Sequence, residues 1–164
     1  NIAKLDKNKI ILSKEIVNIN ELLDEAKKNL DFSQNVKGLT IKLNKDSVIE
    51  SIIVDPVHVS NVIYNLLDNA IKYCEKEPEI TISTRADKQY FFMEFKDNGI
   101  GIKREYVNMV FDKFYRIPTG NLHDVKGFGL GLYYVKLIIE EHKGTIHIKS
   151  TPGKGTTFSV KLPL

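Results

Sequence analysis

The chain has 164 residues, 24 of them basic and 21 acidic, for a formal net charge of +3. That length suffices for one domain with a sizeable core. A charge balance so close to neutral, with no basic run interleaved with aromatics, gives no argument for nucleic acid. The single cysteine, Cys74, excludes an intrachain disulfide and fits a reducing compartment, and no apolar run approaches the roughly 18 residues that read as a membrane span.

Residues 1–9, NIAKLDKNK, are polar and read as a linker or the end of a preceding helix, so the chain is expected to be cut from a longer one. IILSKEIV, residues 10–17, is read as a short strand. NINELLDEAKKNLDFS carries Leu22, Leu23, Ala26 and Leu30 at helical spacing. Leu39, Ile41 and Leu43 alternate as in a half-buried strand, and SIIV reads as a second short one. In DPVHVSNVIYNLLDNAIKYC, Asp55 suits an N-cap and Pro56 the first helical position. Val59, Val62, Ile63, Leu66, Leu67 and Ala70 then form one apolar face. Ile80, Ile82 and Thr84, then Phe91, Met93 and Phe95, alternate on either side of the turn RADKQ and predict a hairpin. A helix is expected over KREYVNMVFDKF, then a polar loop to Lys126, then a long helix over 128–142 with a polar stripe at Lys136, Glu140 and Lys143. Ile146 and Ile148, the turn TPGKG, and Phe158, Val160 and Leu162 predict a closing hairpin. Hairpin strands with one apolar face each need a cover, and the helices supply it. The expected architecture is a two-layer α+β sandwich, a mixed sheet covered by helices on one face.

Four constellations have both a plain and a chemical reading. Gly127, Gly129 and Gly131 precede an apolar helix: they make either a flexible turn or a cradle where backbone N–H groups and a helix N-terminus meet an anion. The spacing is that of neither a P-loop nor a dinucleotide fingerprint. Asn65, Asn69 and Lys72 line one helical stripe, either a solvated face or a set of magnesium and phosphate contacts. Asp97 in DNGIG is either a turn former or a carboxylate at a pocket rim, accepting from an amine or amide. In FDKFYR, Phe111 and Phe114 read as packing residues, and Arg116 as a surface charge or a bidentate phosphate contact. His58, His123, His142 and His147 are scattered without metal spacing and read as structural or solvent-facing.

Together these segments resemble the catalytic and ATP-binding domain of bacterial two-component sensor histidine kinases, within the family shared with gyrase, heat-shock chaperone and mismatch-repair ATPases. NLLDNAIKY resembles the N box, DNGIG the first glycine box, FDKFYR the F box, GFGLGL the second glycine box and GKGTTF the third, in the family's order. The resemblance runs from about Ile10 to Leu162. It implies the Bergerat ATP-binding fold over residues 10–164, with residues 1–9 as the tail of a dimerisation and phosphoacceptor helix.

By position, the resemblance makes Asp97 the acceptor for the adenine amino group, with Gly99 and Gly101 letting the chain pass close to the base. Asn65 and Asn69 would meet Mg2+ and the phosphates. Lys72 would contact phosphate, and Tyr73 would neighbour the base or ribose. Arg116 and Lys126 would be cations of a lid running from about Lys113 to Lys126, hinged on Gly127, Gly129 and Gly131. Thr156, on the strand face of Phe158, would supply the third-box hydroxyl. The box neighbours Ile102, Tyr115, Leu130 and Leu132 are carried over as nucleotide contacts. So is Phe128, although many relatives have threonine or serine there.

Family members that hydrolyse ATP carry a glutamate four residues before the second asparagine. Here that position is Asn65, whose amide cannot take a proton at neutral pH. The resemblance therefore implies γ-phosphate transfer to a histidine, with Asn65, Lys72 and Arg116 as the catalytic set. None of the four histidines has the family's acceptor context. The acceptor is expected on a separate phosphoacceptor domain of the same kinase, with a response regulator downstream. The isolated domain is expected to be monomeric, cytoplasmic and without membrane contact, its parent anchored in the inner membrane. A hydrolysing ATPase and a nucleotide-binding module without transfer activity are the alternatives.

Overall fold

Alternating burial organises the chain around one sheet. In the computed structural model, which describes residues 10–33, 36–46, 51–117 and 128–164, five strands lie in the order β2 (Thr40–Asn44), β4 (Glu79–Ala86), β5 (Tyr90–Asp97), β7 (Gly155–Pro163) and β6 (Thr145–Thr151). β4 and β5 pair antiparallel as the expected hairpin, with Ile82 opposite Phe95, and β6 and β7 form the closing one, with Ile148 opposite Phe158. β2 runs parallel to β4. Parallel neighbours need a long crossover, and the intervening chain supplies it with β3 (Ile52–Val54) and the helix α2 (Pro56–Lys72).

One face of the sheet is apolar. Ile41, Ile80, Ile82, Phe91, Met93, Phe95, Phe158, Val160 and Leu162 are buried there in a continuous core with residues from three helices. α1 (Ile19–Ser33) contributes Leu23, Ala26 and Leu30, α2 contributes Val59, Val62, Ile63, Leu66, Leu67 and Ala70, and α3 (Gly131–Glu141) contributes Val135, Ile138 and Ile139. The result is the expected α+β sandwich, with a mixed sheet.

The structure departs from expectation in four places. Only Glu15–Val17 of the 10–17 stretch is strand (β1), and it pairs antiparallel with β3 as a separate ribbon rather than joining the main sheet. The helix expected over 103–114 is a succession of turns, in which Tyr106, Met109 and Asp112 each donate to the carbonyl three residues back. The apolar spacing is helical, yet an isolated segment this short is marginal as a helix, and here tertiary contacts override it. Phe111 packs edge-on against Phe158, while Phe114 turns out to solvent, 63% exposed with φ of 63°, so its expected packing role is not realised. Finally, the helix expected from residue 128 begins only at Gly131. Gly129 has φ of 69°, a left-handed conformation that no right-handed helix accommodates. Residues 1–9 and most of the expected lid lie outside the described residues.

One buried polar junction joins α2, α3 and the segment before β1. Asp55 caps α2 by accepting from His58 N at 3.0 Å through Oδ1, and accepts from Ser13 N at 2.8 Å through Oδ2. Its own N–H donates to Nε2 of buried His142 at 3.0 Å, and Nδ1 of the same ring meets the Ile138 carbonyl at 2.8 Å. His142 is therefore neutral, with its proton on Nδ1. Burial holds its pKa below the ordinary 6.5. As pH falls, the unfolded chain takes up this proton first, so the stability that His142 contributes is full above about pH 6.5 and declines below it. The melting temperature should therefore fall between about pH 8 and pH 5. The fall should be shallower in His142→Gln, whose amide oxygen can accept the same Asp55 N–H. Equal pH slopes in the two proteins would show that His142 is not the titrating group.

Candidate functional site

β5 ends at Asp97, and a cleft opens there between the C-terminal part of α2, the turns that follow β5, the start of α3 and the beginning of β7. Ile100, Ile102, Val110, Ile117, Leu132 and Phe158 make it largely apolar. Asn69, Tyr73, Asp97, Tyr115, Arg116 and Thr156 are the polar groups that line it, and Gly101 completes it. Few polar groups converging on an apolar recess is the usual composition of a small-molecule site.

Asp97 is the best-defined of them. Its Oδ1 accepts two backbone N–H groups, from Gly99 at 2.8 Å and from Thr156 at 3.1 Å. Among the described residues Oδ2 makes no hydrogen bond, which leaves it as an acceptor at the cleft. Burial pushes the carboxyl above its ordinary range, while the two N–H donors pull it back. Thr156 is itself buried, and its hydroxyl lies 2.8 Å from that of Ser150.

The glycines of DNGIG have a packing role. A Cβ on Gly99 would stand 2.6 Å from the Tyr73 carbonyl, and one on Gly101, where φ is 71°, would collide with the Thr151 carbonyl. The close approach they permit is to protein backbone: Ile100 N donates to Tyr73 O at 2.9 Å and Gly153 N to Ile100 O at 2.7 Å. This stitches the loop after β5 to the end of α2 on one side and the β6–β7 turn on the other.

The expected phosphate end is looser. Asn69 lines the cleft. Asn65 does not; it bonds Asn61 O at 2.7 Å and abuts the start of α3, where a Cβ on Gly131 would come within 2.8 Å of its Oδ1. Lys72 is also off the cleft, paired with Asp68 one turn earlier at 2.5 Å. Both side chains of that pair are about two-fifths exposed, and such an exposed i,i+4 pair is worth only about 0.3–0.5 kcal/mol, which a stronger anion would easily overcome. α3 starts at Gly131 behind Leu130, which offers no side-chain cap, so its first N–H groups have no capping acceptor among the described residues. Gly129 is held against Phe114, whose N–H donates to its carbonyl at 3.0 Å. Phe128 is 84% exposed, and neither Phe128 nor Leu130 lines the cleft. Lys126 and Gly127 lie outside the described residues.

Sequence reasoning did not find Ser150, or the walls Ile100, Val110 and Ile117. Ser150 shares the inner strand face of Ile146 and Ile148, and that parity was the one signal for it. Among the described residues no cluster of three His, Cys, Asp or Glu could hold a metal ion, and no helix is long and apolar enough to cross a membrane.

Comparison with known proteins places this geometry. Residues 54–164 match the model of the histidine kinase-, DNA gyrase B- and HSP90-like ATPase family. The chain is 42% identical over 165 residues to the sensor protein RprX of Bacteroides fragilis, covering 99% of this chain and 32% of that protein. It is 37% identical to the sensor protein SrrB of Staphylococcus aureus, covering 99% of this chain and 28% of that one. It thus spans about a third of the length of these relatives. Among solved structures, full-length ShkA in complex with AMPPNP superposes with a TM-score of 0.86 at 23% identity, over 99% of this chain and 33% of that one. The catalytic domain of the histidine kinase ThkA superposes with a TM-score of 0.80 at 23% identity, over 93% of this chain and 98% of that one, and both show the same fold. With a family match over residues 54–164 and sensor proteins alike along nearly its whole length, the chain belongs to the histidine kinase-, DNA gyrase B- and HSP90-like ATPase family.

Proposed function

We propose that this domain binds ATP with Mg2+ and transfers the γ-phosphate to a histidine of a separate phosphoacceptor domain in the same sensor kinase, with a response regulator downstream. The parent is anchored in the inner membrane with this domain on the cytoplasmic side. The observation that carries the reading is the Asp97 carboxylate: Oδ1 is occupied by two backbone donors, and Oδ2 remains as an acceptor for the adenine amino group. Tyr73, Ile102 and Leu132 would flank the base, and Arg116, which also lines the cleft, would meet the phosphates.

The phosphate end fits Mg-ATP in kind. The amides of Asn65 and Asn69 are neutral oxygen donors on one helix stripe, suited to a cation that keeps most of its ligands as water and phosphate. Mg2+ held there would neutralise phosphate charge. Lys72, released from Asp68, and the uncapped first turn of α3 would add positive potential. Such a site works by positioning and charge neutralisation.

Transfer rather than hydrolysis is favoured by the cleft itself. Asp97 is the sole carboxylate among the described residues lining it, and its assigned place is at the base. With Asn65 where a glutamate base would stand, the described lining offers no second carboxylate to deprotonate water. A neutral imidazole attacks through a nitrogen lone pair and needs no such base. The N–P bond forms as the bond from the γ-phosphorus to the bridging oxygen breaks, ADP leaves, and the proton on the other ring nitrogen of the imidazolium is released to solvent or to the acceptor domain after the bond has formed. The acceptor is assigned elsewhere in the parent: His123 lies outside the described residues, and none of the other three histidines lines the cleft. His142 is buried, His58 bonds Tyr134 Oη at 2.7 Å, and His147 is exposed on β6 away from the cleft.

Two variants test this reading. Asp97→Asn must keep its amide oxygen toward the Gly99 and Thr156 N–H groups, which turns its NH2 toward the adenine amine. ATP affinity should fall at least tenfold, equivalent to roughly 1.5–3 kcal/mol, with little change in melting temperature. Calorimetry showing unchanged affinity would remove the adenine assignment. Asn69→Ala should weaken Mg-ATP binding more than metal-free ATP binding, and equal losses would place Asn69 away from the metal.

A further inference from the structure

Ser150 is bonded on all sides. It stands on β6 directly opposite Thr156 on β7. Its Oγ accepts the Ile102 N–H at 2.8 Å, donates to the Gly155 carbonyl at 2.9 Å, and lies 2.8 Å from Thr156 Oγ1. A serine hydroxyl has one hydrogen and two lone-pair sites. With the hydrogen on the Gly155 carbonyl and one lone pair taken by Ile102 N–H, the remaining lone pair can only accept, so the hydrogen between the two hydroxyls is that of Thr156. The Thr156 oxygen is then left at the cleft with lone pairs and no proton to offer.

We infer that Ser150 is a positioning residue for base selection: it holds the Thr156 hydroxyl as an acceptor, so that the base edge meets acceptors from both Asp97 Oδ2 and Thr156 Oγ1. This rests on the nucleotide reading of the cleft and extends it to specificity. Adenine presents an amino group at its six-position, a donor, where guanine presents a carbonyl oxygen, an acceptor. Two acceptors facing that position favour the first and repel the second. A hydroxyl free to rotate would relax the second half of that discrimination, because it could donate to the guanine oxygen. Thr156 is also one of the two backbone donors that fix Asp97, so both elements of the edge are set along one short stretch of β7. Substitution of Ser150 leaves that backbone bond to Asp97 in place and frees the Thr156 hydroxyl; it also removes the partner of the Ile102 N–H and the Gly155 carbonyl, a loss common to both nucleotides.

The test is a double-mutant cycle on the intact chain, titrating ATP and GTP by calorimetry against wild type, Ser150→Ala, Thr156→Ala and the double variant. Ser150→Ala should narrow the ATP-over-GTP ratio by roughly three- to tenfold, the worth of one hydrogen bond gained or lost. On the Thr156→Ala background the same substitution should leave the ratio unchanged, because the hydroxyl it acts through is gone. A merely structural role would weaken both nucleotides in proportion and leave the ratio where it was, and that result, or an equal narrowing in both backgrounds, would overturn the inference. If Ser150→Ala does not fold, Ser150→Cys, which keeps the volume with a weaker donor and acceptor, should narrow the ratio in the same direction, and an unchanged ratio would count against it. A folded wild type that binds neither nucleotide would overturn the reading of the cleft, and this inference with it.

Discussion

The carboxylate of Asp97 is the fixed point from which the cleft is built. It closes β5, and one of its oxygens gathers the N–H groups of Gly99, in the loop that follows, and of Thr156, on the neighbouring strand. Taking a carboxylate out of water is costly unless hydrogen bonds to its charge offset the loss, and two backbone donors supply part of that offset. They also remove its freedom to rotate. A carboxylate whose orientation is set by the main chain presents its second oxygen in one direction before any ligand arrives, which is what preorganised recognition requires.

Close backbone packing around that point explains the glycines better than flexibility does. The Gly155 α-carbon lies against the Asp97 carbonyl, and a Cβ there would overlap it; Gly99 and Gly101 are similarly confined by Tyr73 and Thr151. Three chain segments distant in sequence, at the end of α2, after β5 and at the β6–β7 turn, are thereby brought within hydrogen-bonding distance of one another. The Asp97 end of the cleft is held by main chain bonded to main chain. The opposite end differs in kind. Lys72 is held by an exposed ion pair, and the start of α3 has no capping side chain. On the proposed reading, that difference would give rigidity where the base is read and adjustable charge where the phosphates are handled.

This division also sets what the sequence could reveal. Strand parity and helix periodicity are properties of the covalent order, so the two hairpins, α2 with its Asp55 cap and Pro56, and the sandwich were legible before any coordinates. The box residues Asn69, Tyr73, Asp97, Gly101, Ile102, Tyr115, Arg116, Leu132 and Thr156 do line one cleft. The segment 103–114 was misread because Val107, Val110, Phe111 and Phe114 keep helical spacing while only part of that stripe has a surface to bury against: Val110 is buried, and Phe114 is exposed. The start of α3 was misplaced because Phe128 continues the apolar run although Gly129 breaks the backbone. Ser150 escaped because its significance lies in three partners at residues 102, 155 and 156 that periodicity cannot connect.

What the cleft lacks is as informative for its chemistry as what it contains. Among the described residues that line it, the only carboxylate is that of Asp97, which is committed to two backbone donors and, on the proposed reading, to the base. Asn65, at the helix stripe facing the start of α3, carries an amide whose nitrogen is already engaged with the Asn61 carbonyl. An attacking water would have to lose a proton during the reaction, and neither group is suited to receive it. A neutral imidazole attacks through a nitrogen that carries no proton and can shed its other ring proton after the bond has formed, so it makes no such demand on the cleft. On the proposed reading, a pocket that fixes the base, neutralises phosphate charge and has no second carboxylate among its described lining residues would be selective by omission: water would enter it without being activated, while an imidazole presented by another domain would react. The same omission would tie catalysis to docking, because the proposed nucleophile is present only when that domain is.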